Sequence, residues 1–149
     1  MENYYIKHAT LVDVEDCVSL FDSYRIFYKA KSDVNSARQF IKMRLKTADS
    51  KIFLFYKDHI ARGFAQAYFS YSSLSLAETC ILNDLFVTES ERGQGYGTAL
   101  IEAVRAYATQ RGCVRLSLST AKDNPAQHLY EAIGFKQSDF KFYNLMLKE

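Results

Sequence analysis

Residues 83–100 read Asn-Asp-Leu-Phe-Val-Thr-Glu-Ser-Glu-Arg-Gly-Gln-Gly-Tyr-Gly-Thr-Ala-Leu, an apolar strand running into a polar turn and then a helix. Gly93, Gly95 and Gly97 stand at alternate positions just after Arg92. Each lacks a Cβ, so the backbone can close tightly around a ligand. The first N–H groups of a helix have no carbonyl partner and together carry about half a positive charge. They point into the space that the strand has just left. Arg92 adds a full charge and a planar fork suited to phosphate oxygens. Together these residues form a cradle for a diphosphate.

Three phosphate-binding patterns compete for this stretch. A P-loop needs Gly-Lys followed by Ser or Thr, and no Gly-Lys pair occurs in the chain. A dinucleotide fingerprint needs G-x-G-x-x-G, but Thr98 or Leu100 stands where the last glycine belongs. It also expects an acidic residue well downstream, where Gly112-Cys113 opens a different element. What remains is R-x-x-G-x-G after a strand, matched by Arg92, Gly95 and Gly97. A glycine-rich loop that merely turns the chain satisfies the same spacing.

A second motif lies downstream. Asn124-Pro125-Ala126-Gln127-His128-Leu129-Tyr130-Glu131-Ala132-Ile133-Gly134-Phe135 is a helix specified at both ends. Asn124 suits an N-cap, Pro125 the first helical position, and Gly134 the left-handed residue after the last turn. Read alone, Tyr130 is a packed aromatic, one of 11 tyrosines. Taken with the Arg92 loop, in this order along the chain, the pair resembles the two signatures of the GCN5-related N-acetyltransferase (GNAT) superfamily. The resemblance covers essentially the whole chain, though only the two signatures are specific. A looser resemblance to the branch of yeast histone and polyamine acetyltransferases rests on five stretches. These are Arg25-Ile26-Phe27-Tyr28, Gly63-Phe64-Ala65-Gln66, Ser72-Ser73, Leu82-Asn83-Asp84-Leu85 and Thr120-Ala121. The chain departs from that branch at Tyr68, which Phe69 follows where a proline is common.

The resemblance implies an acetyl-CoA cosubstrate and direct acyl transfer. The pantetheine arm would lie along the strand end at Phe86 and Val87, bonded to their backbone as an added strand would be. Backbone N–H groups of the loop Gly93, Gln94, Gly95, Tyr96, Gly97 and Thr98 would hold the pyrophosphate, with Arg92 alongside. Asn124 would help hold the pantetheine arm, and Tyr130 would protonate the departing thiolate. A primary amine is almost wholly protonated at neutral pH, so something must take its proton. Asp84, on the central strand beside the cradle, is the first candidate base and could equally hold a cationic substrate. An Asx-type backbone contact or a surface carboxylate accounts for Asp84 as well. Glu78 is a weaker candidate, farther along the strand. In the family the loop after the first helix walls the acceptor site, which makes Arg25 and Tyr28 substrate contacts.

Composition bounds the alternatives. The 149 residues suit one domain, residues 1–149, with a single core. Hydrophobic content of 48% and charged content of 24% are ordinary for a globular protein. A net charge of +2 is too small to argue for nucleic acid. No apolar run reaches the length of a membrane helix, and the start Met-Glu-Asn lacks a basic, apolar leader, so the cytoplasm is expected. Cys17, Cys80 and Cys113 form no C-x-x-C pair and sit in apolar contexts, as buried thiols do. His8, His59 and His128 show no metal-ligand spacing, and a metal-free protein is expected.

The positioning elements follow from periodicity. A strand over 4–8 precedes a helix capped by Thr10, with Asp13 as a capping-box partner and Val14, Val18 and Phe21 on one face. A second helix spans 34–46. Strands are expected over 51–56, 60–71, 78–87 and 113–119, and 140–147 is expected to close the sheet. The fold expected is α/β (α+β), the GNAT acyl-CoA N-acyltransferase fold. It carries a mixed, mostly antiparallel sheet of six to seven strands flanked by four helices. The apolar closing strand and the resemblance also lead to a homodimer expectation. Three functions fit: acetyl transfer to a small-molecule amine, acetyl transfer to a protein or peptide, and acyl-CoA binding without turnover.

Overall fold

Alternation along the strands builds a core on both faces of one sheet. The computed structural model describes residues 3–148. The elements run β1 (Tyr4–His8), a 3-10 turn, α1 (Val14–Phe27), α2 (Val34–Thr47), β2 (Ser50–Lys57), β3 (Ile60–Ser72) and β4 (Ala77–Val87). A second 3-10 turn, α3 (Tyr96–Arg111), β5 (Leu116–Ser117) and α4 (Ala126–Ile133) follow. The chain divides into two compact units, Met1–Ser119 and Thr120–Glu149. The first holds the whole sheet, in the order β1-β2-β3-β4-β5. Its first three pairings are antiparallel and β4–β5 is parallel.

Successive side chains of a strand point to opposite faces. On β2, Ile52, Leu54 and Tyr56 therefore join Phe64, Phe86 and the apolar stripes of α1 and α2. Phe53 and Phe55 face the other way, where Phe55 meets Tyr96 at 4.4 Å and Phe53 meets Tyr107 at 5.9 Å, both from α3. Phe53 and Phe55 are fully buried, and truncating such a ring to Ala costs about 3–5 kcal/mol.

One irregularity sets the direction of the key carboxylate. Gln66 pairs with Asp84 but Ala67 pairs with Leu82, so Asn83 is an extra residue in β4. Such a bulge reverses the facing of everything beyond it. Leu82 lies with Ala67, whereas Asp84 lies with Gln66 on the face of β4 that carries Phe86. Without the bulge, Leu82 and Asp84 would share one face.

The helix starts follow local capping. Asp13 Oδ2 accepts from Thr10 N–H at 2.8 Å, but the residues between form a 3-10 turn, so α1 starts at Val14 rather than directly after Thr10. Asp33 Oδ1 accepts from Ser36 N–H at 3.1 Å and opens α2.

The sheet has five strands, fewer than the six to seven expected. The strand expected over 113–119 pairs only at Leu116 and Ser117. Val114 N–H and the Arg115 carbonyl bond to β4 without extending the ladder. Alternation shows that residues can face two ways, not how many of them find a partner. The expected closing strand over 140–147 is absent among the described residues. Phe140 N–H bonds to Ser138 Oγ at 3.0 Å, a local turn in place of a ladder bond. Apolar content specifies a wish for burial, not an edge to pair with.

Candidate active site

The cradle is built where β4 ends. Thr88 N–H donates to the Arg62 carbonyl at 2.8 Å, and a 3-10 turn over Glu89–Glu91 swings the chain toward α3. Gly93 and Gly95 then take φ of 78° and 87°, values that side-chain-bearing residues rarely adopt. A Cβ at either would meet nothing within 4 Å, so the space outside the loop is open. Gly95 is the N-cap of α3, and Ala99 N–H makes the first helical bond to its carbonyl at 3.1 Å. The N–H groups of Gly97 and Thr98 lie in the first turn, beyond reach of a helical carbonyl, and no side chain caps the helix. An anionic diphosphate fits a loop with these donors, this dipole and this open side.

Charge and packing fix the loop. Glu91 bonds Lys57 Nζ at 3.0 Å and lies 4.0 Å from Arg62 Nε, tying the loop to the β2–β3 hairpin. The Glu91 bond, followed by that to Tyr96, holds the Lys57 ammonium above its ordinary pKa. The ring of Tyr96 is buried against Phe55 and against Tyr4 at 5.4 Å. Its side chain therefore belongs to the core, leaving its backbone for a ligand. Gln94 is exposed and its Oε1 accepts from Tyr96 O–H at 3.3 Å.

Arg92 is turned differently from a simple phosphate arm. Its Nε donates to the Val87 carbonyl at 2.8 Å, and its guanidinium lies 5.0 Å from the Phe27 ring and 5.4 Å from that of Phe86. The cationic fork is thus pinned at the junction of β4 and α1, with its terminal nitrogens free among the described residues. Beyond Ile81, β4 has no ladder partner on the β5 side, so the edge from Leu82 to Val87 can receive an extended ligand.

Asp84 lies on the α1–α2 face and is buried, 6% exposed. Gln66 Nε2 donates to its Oδ2 at 2.7 Å and Asn83 Nδ2 to its Oδ1 at 3.1 Å. Gln66 is in turn oriented by Ser50, whose hydroxyl donates to Gln66 Oε1 at 2.8 Å. No ion pair joins Asp84 among the described residues. Burial first, and the charge of Asp84 second, push the Tyr68 phenol above its ordinary pKa. Aromatic rings cover the same face: Tyr24 lies 5.6 Å from Phe64, 6.2 Å from Phe86 and 5.0 Å from Tyr28.

The α1–α2 loop is internally braced. Buried Asp22 accepts from Ser32 Oγ–H at 2.6 Å and from Asp33 N–H at 2.9 Å. Arg25 Nη1 donates to the Lys31 carbonyl at 2.9 Å, which makes Arg25 a strut of the loop. Tyr28 is half exposed at the end of α1.

In the second unit, α4 starts at Ala126, one residue later than expected, with Pro125 at the N-cap. Asn124 still supplies the capping oxygen, accepting from Ala126 N–H at 2.9 Å. The Tyr130 ring meets Phe135 edge-on at 6.1 Å, and Gly134 ends the helix with φ of 121°.

Within the first unit, the residues expected at the cradle and at the strand end converge. Phe86 sits between Arg92 and the aromatic end of α1, and Asp84 stands two residues along the same face. Two residues of this face were not read as functional from sequence: Gln66 and Ser50. A glutamine amid the apolar residues of β3 was the one available signal. Among the described residues, no group of three or more His, Cys, Asp or Glu could hold a metal ion. None of the described helices is long and apolar enough to cross a membrane.

Comparison with known proteins gives the family. Residues 17–135 match the Acetyltransferase (GNAT) family. The uncharacterized N-acetyltransferase YhfO of Bacillus subtilis (strain 168) is 38% identical over 133 residues, covering 89% of each chain. A crystal structure of a probable acetyltransferase superposes with a TM-score of 0.92 at 38% identity, covering 97% of this chain and 99% of that one. The aminoglycoside N-acetyltransferase AAC(6')-Iy in complex with CoA has a TM-score of 0.83 at 20% identity, covering 99% and 97%, a likeness of fold. The chain belongs to the GNAT acetyltransferase family, and is an N-acetyltransferase with that family's α+β fold.

Proposed function

We propose that this enzyme transfers the acetyl group of acetyl-CoA to a primary amine of a small molecule. The observation that carries this reading is the buried Asp84 carboxylate. It has no cationic partner among the described residues and shares a face of β4 with Phe86, over which Arg92 of the diphosphate loop lies. An acceptor ammonium supplies the missing charge, and the rings of Tyr24 and Tyr28 suit its alkyl stem. Glu78, bonded to Arg111 at 2.7 Å, is committed elsewhere.

Acetyl-CoA is read along the β4 edge, its diphosphate at the N–H groups of Gly97 and Thr98 and its pantetheine against the backbone of Phe86 and Val87. Asp84 takes a proton from the ammonium, directly or through water, and frees the nitrogen lone pair. The nitrogen attacks the thioester carbonyl carbon, and a backbone N–H on the unpaired β4 edge stabilises the oxyanion. The C–S bond then breaks with its electron pair on sulfur. Tyr130 gives the thiolate its phenolic proton, the amide nitrogen loses its remaining extra proton to water, and water returns one to Tyr130, while Asn124 steadies the pantetheine. The chain is read as one N-acetyltransferase domain, residues 1–149. The small-molecule acceptor is supported by the aminoglycoside acetyltransferase that shares the fold. A cytoplasmic location and a homodimer complete the reading on the family resemblance, and light scattering tests the latter.

The test is thiol release from acetyl-CoA with a panel of polyamines, amino acids, aminoglycosides and basic peptides. Turnover on one class of small amine is expected. Turnover on peptides alone, or tight acetyl-CoA binding with no turnover on any amine, contradicts the reading.

A further inference from the structure

Gln66 is the most deeply buried polar side chain of the acceptor face, only 1% exposed. A buried primary amide must place its carbonyl and its NH2 group against suitable partners. Here the choice is made by Ser50, whose hydroxyl donates to Oε1 at 2.8 Å. That leaves Nε2 to face Asp84 Oδ2 at 2.7 Å. Asn83 Nδ2, contributed by the bulge, bonds the other carboxylate oxygen at 3.1 Å. The carboxylate is therefore held by two neutral donors.

The difference between neutral and charged partners matters. An arginine or lysine at Gln66 would fix Asp84 equally well but would cancel its charge. Two amides satisfy one lone pair on each oxygen, orient the group, and leave its negative charge uncompensated in a buried place. The nearby charges do not cancel it. Arg44 of α2 is bonded to Asp49 at 2.8 Å, and the Tyr68 phenol of β3 is neutral when protonated. From α1, the same face receives the apolar stripe, the aromatic end with Tyr24 and Tyr28, and a charged group, Asp16, itself an anion, whose Oδ2 accepts from Tyr56 O–H at 2.6 Å.

We propose that Gln66, its orientation set by Ser50, is a positioning residue that presents Asp84 as an oriented and unneutralised anion to the ammonium of the acceptor. This rests on the reading of Asp84 as the acceptor's partner. The polar ends of Gln66 are taken up by Ser50 and Asp84, so the inference concerns the amine alone.

Amine KM, kcat and acetyl-CoA affinity are to be measured for wild type, Gln66→Met, Ser50→Ala, Ser50→Thr and Asp84→Asn. Methionine keeps the length of glutamine and removes both polar ends. Losing a hydrogen bond to a charged group is expected to raise the amine KM of Gln66→Met by about tenfold or more. Acetyl-CoA affinity should not change. Ser50→Ala leaves the amide free to turn its carbonyl toward the carboxylate and should raise the amine KM in the same direction. Ser50→Thr keeps the hydroxyl and should restore it. Should Gln66→Met not fold, the Ser50 pair gives the same reading without disturbing the core. An amine KM unchanged in Gln66→Met or Ser50→Ala, while Asp84→Asn raises it, overturns the role of Gln66 alone. An amine KM unchanged in Asp84→Asn overturns the reading of Asp84, and this inference with it.

Discussion

Arg92 Nε donates to the Val87 carbonyl at 2.8 Å while the guanidinium covers the rings of Phe27 and Phe86. Arg92 is therefore the link between the glycine loop, the proposed diphosphate site, and the aromatic end of α1. A phosphate oxygen can be met by the two terminal nitrogens without releasing the Nε bond.

Arg92→Ala removes both functions. Acetyl-CoA affinity should fall roughly tenfold, the scale of one hydrogen bond to a charged group. Amine KM should rise as well, because Phe27 loses its cover. Arg92→Lys keeps the charge without the planar fork and should recover acetyl-CoA affinity better than amine KM. Calorimetry and steady-state kinetics separate the two. An unchanged affinity in Arg92→Ala would assign the arginine a structural part only.

Gly63 supports the same strand end from behind. A Cβ there would lie 2.8 Å from the Phe86 carbonyl oxygen and 3.4 Å from Val87 Cα, backbone atoms that must shift to admit it. Gly63→Ala should cost about 1–3 kcal/mol of stability through overpacking. It should also weaken acetyl-CoA binding if Phe86 and Val87 present the edge for the pantetheine, as proposed. Thermal melts and calorimetry read the two effects.

The shape of the glycine loop was legible in the sequence because it is local. Glycines that take positive φ, an N-terminal helix turn and an arginine lie within a few consecutive residues. Capping was legible for the same reason at Thr10 and Asn124, with the helix starts displaced by one turn and one residue. Long-range pairing was not. The bulge at Asn83 is decided by register against β3, and it alone places Asp84 beside Gln66. Ser50 meets Gln66 across a strand pair that no local pattern connects. The expected strand over 140–147 failed because hydrophobicity was read as pairing.

Asp13 gives the first unit an acid-sensitive corner. Burial works against its ionisation, but the Lys7 ammonium at 2.9 Å and the Thr10 N–H prevail and hold the carboxyl below the usual range. A carboxylate depressed on folding adds stability above its unfolded pKa of about 3.9 and loses it as pH falls through the folded value. Asp13→Asn should therefore melt below wild type at neutral pH, with the gap closing in acid. A gap independent of pH would show that packing, not charge, sets the difference.

Tyr130→Phe should lower kcat and leave acetyl-CoA affinity almost unchanged. The thiol of CoA is a fair leaving group, with a pKa near 8.5 as for ordinary thiols, so the loss should stay below the ~100-fold or more of an indispensable acid. The pH–rate profile should lose its alkaline limb. An unaltered profile removes the acid role from Tyr130.

Acetyl-CoA titrated into wild type and Gly95→Trp by calorimetry tests the cradle itself. Gly95 holds φ of 87° with open space where its side chain would begin. An indole there both strains the turn and fills the anion's place, so binding to wild type and none to the folded variant is predicted. Equal affinity in a variant shown by circular dichroism to be folded would mean that the diphosphate lies elsewhere.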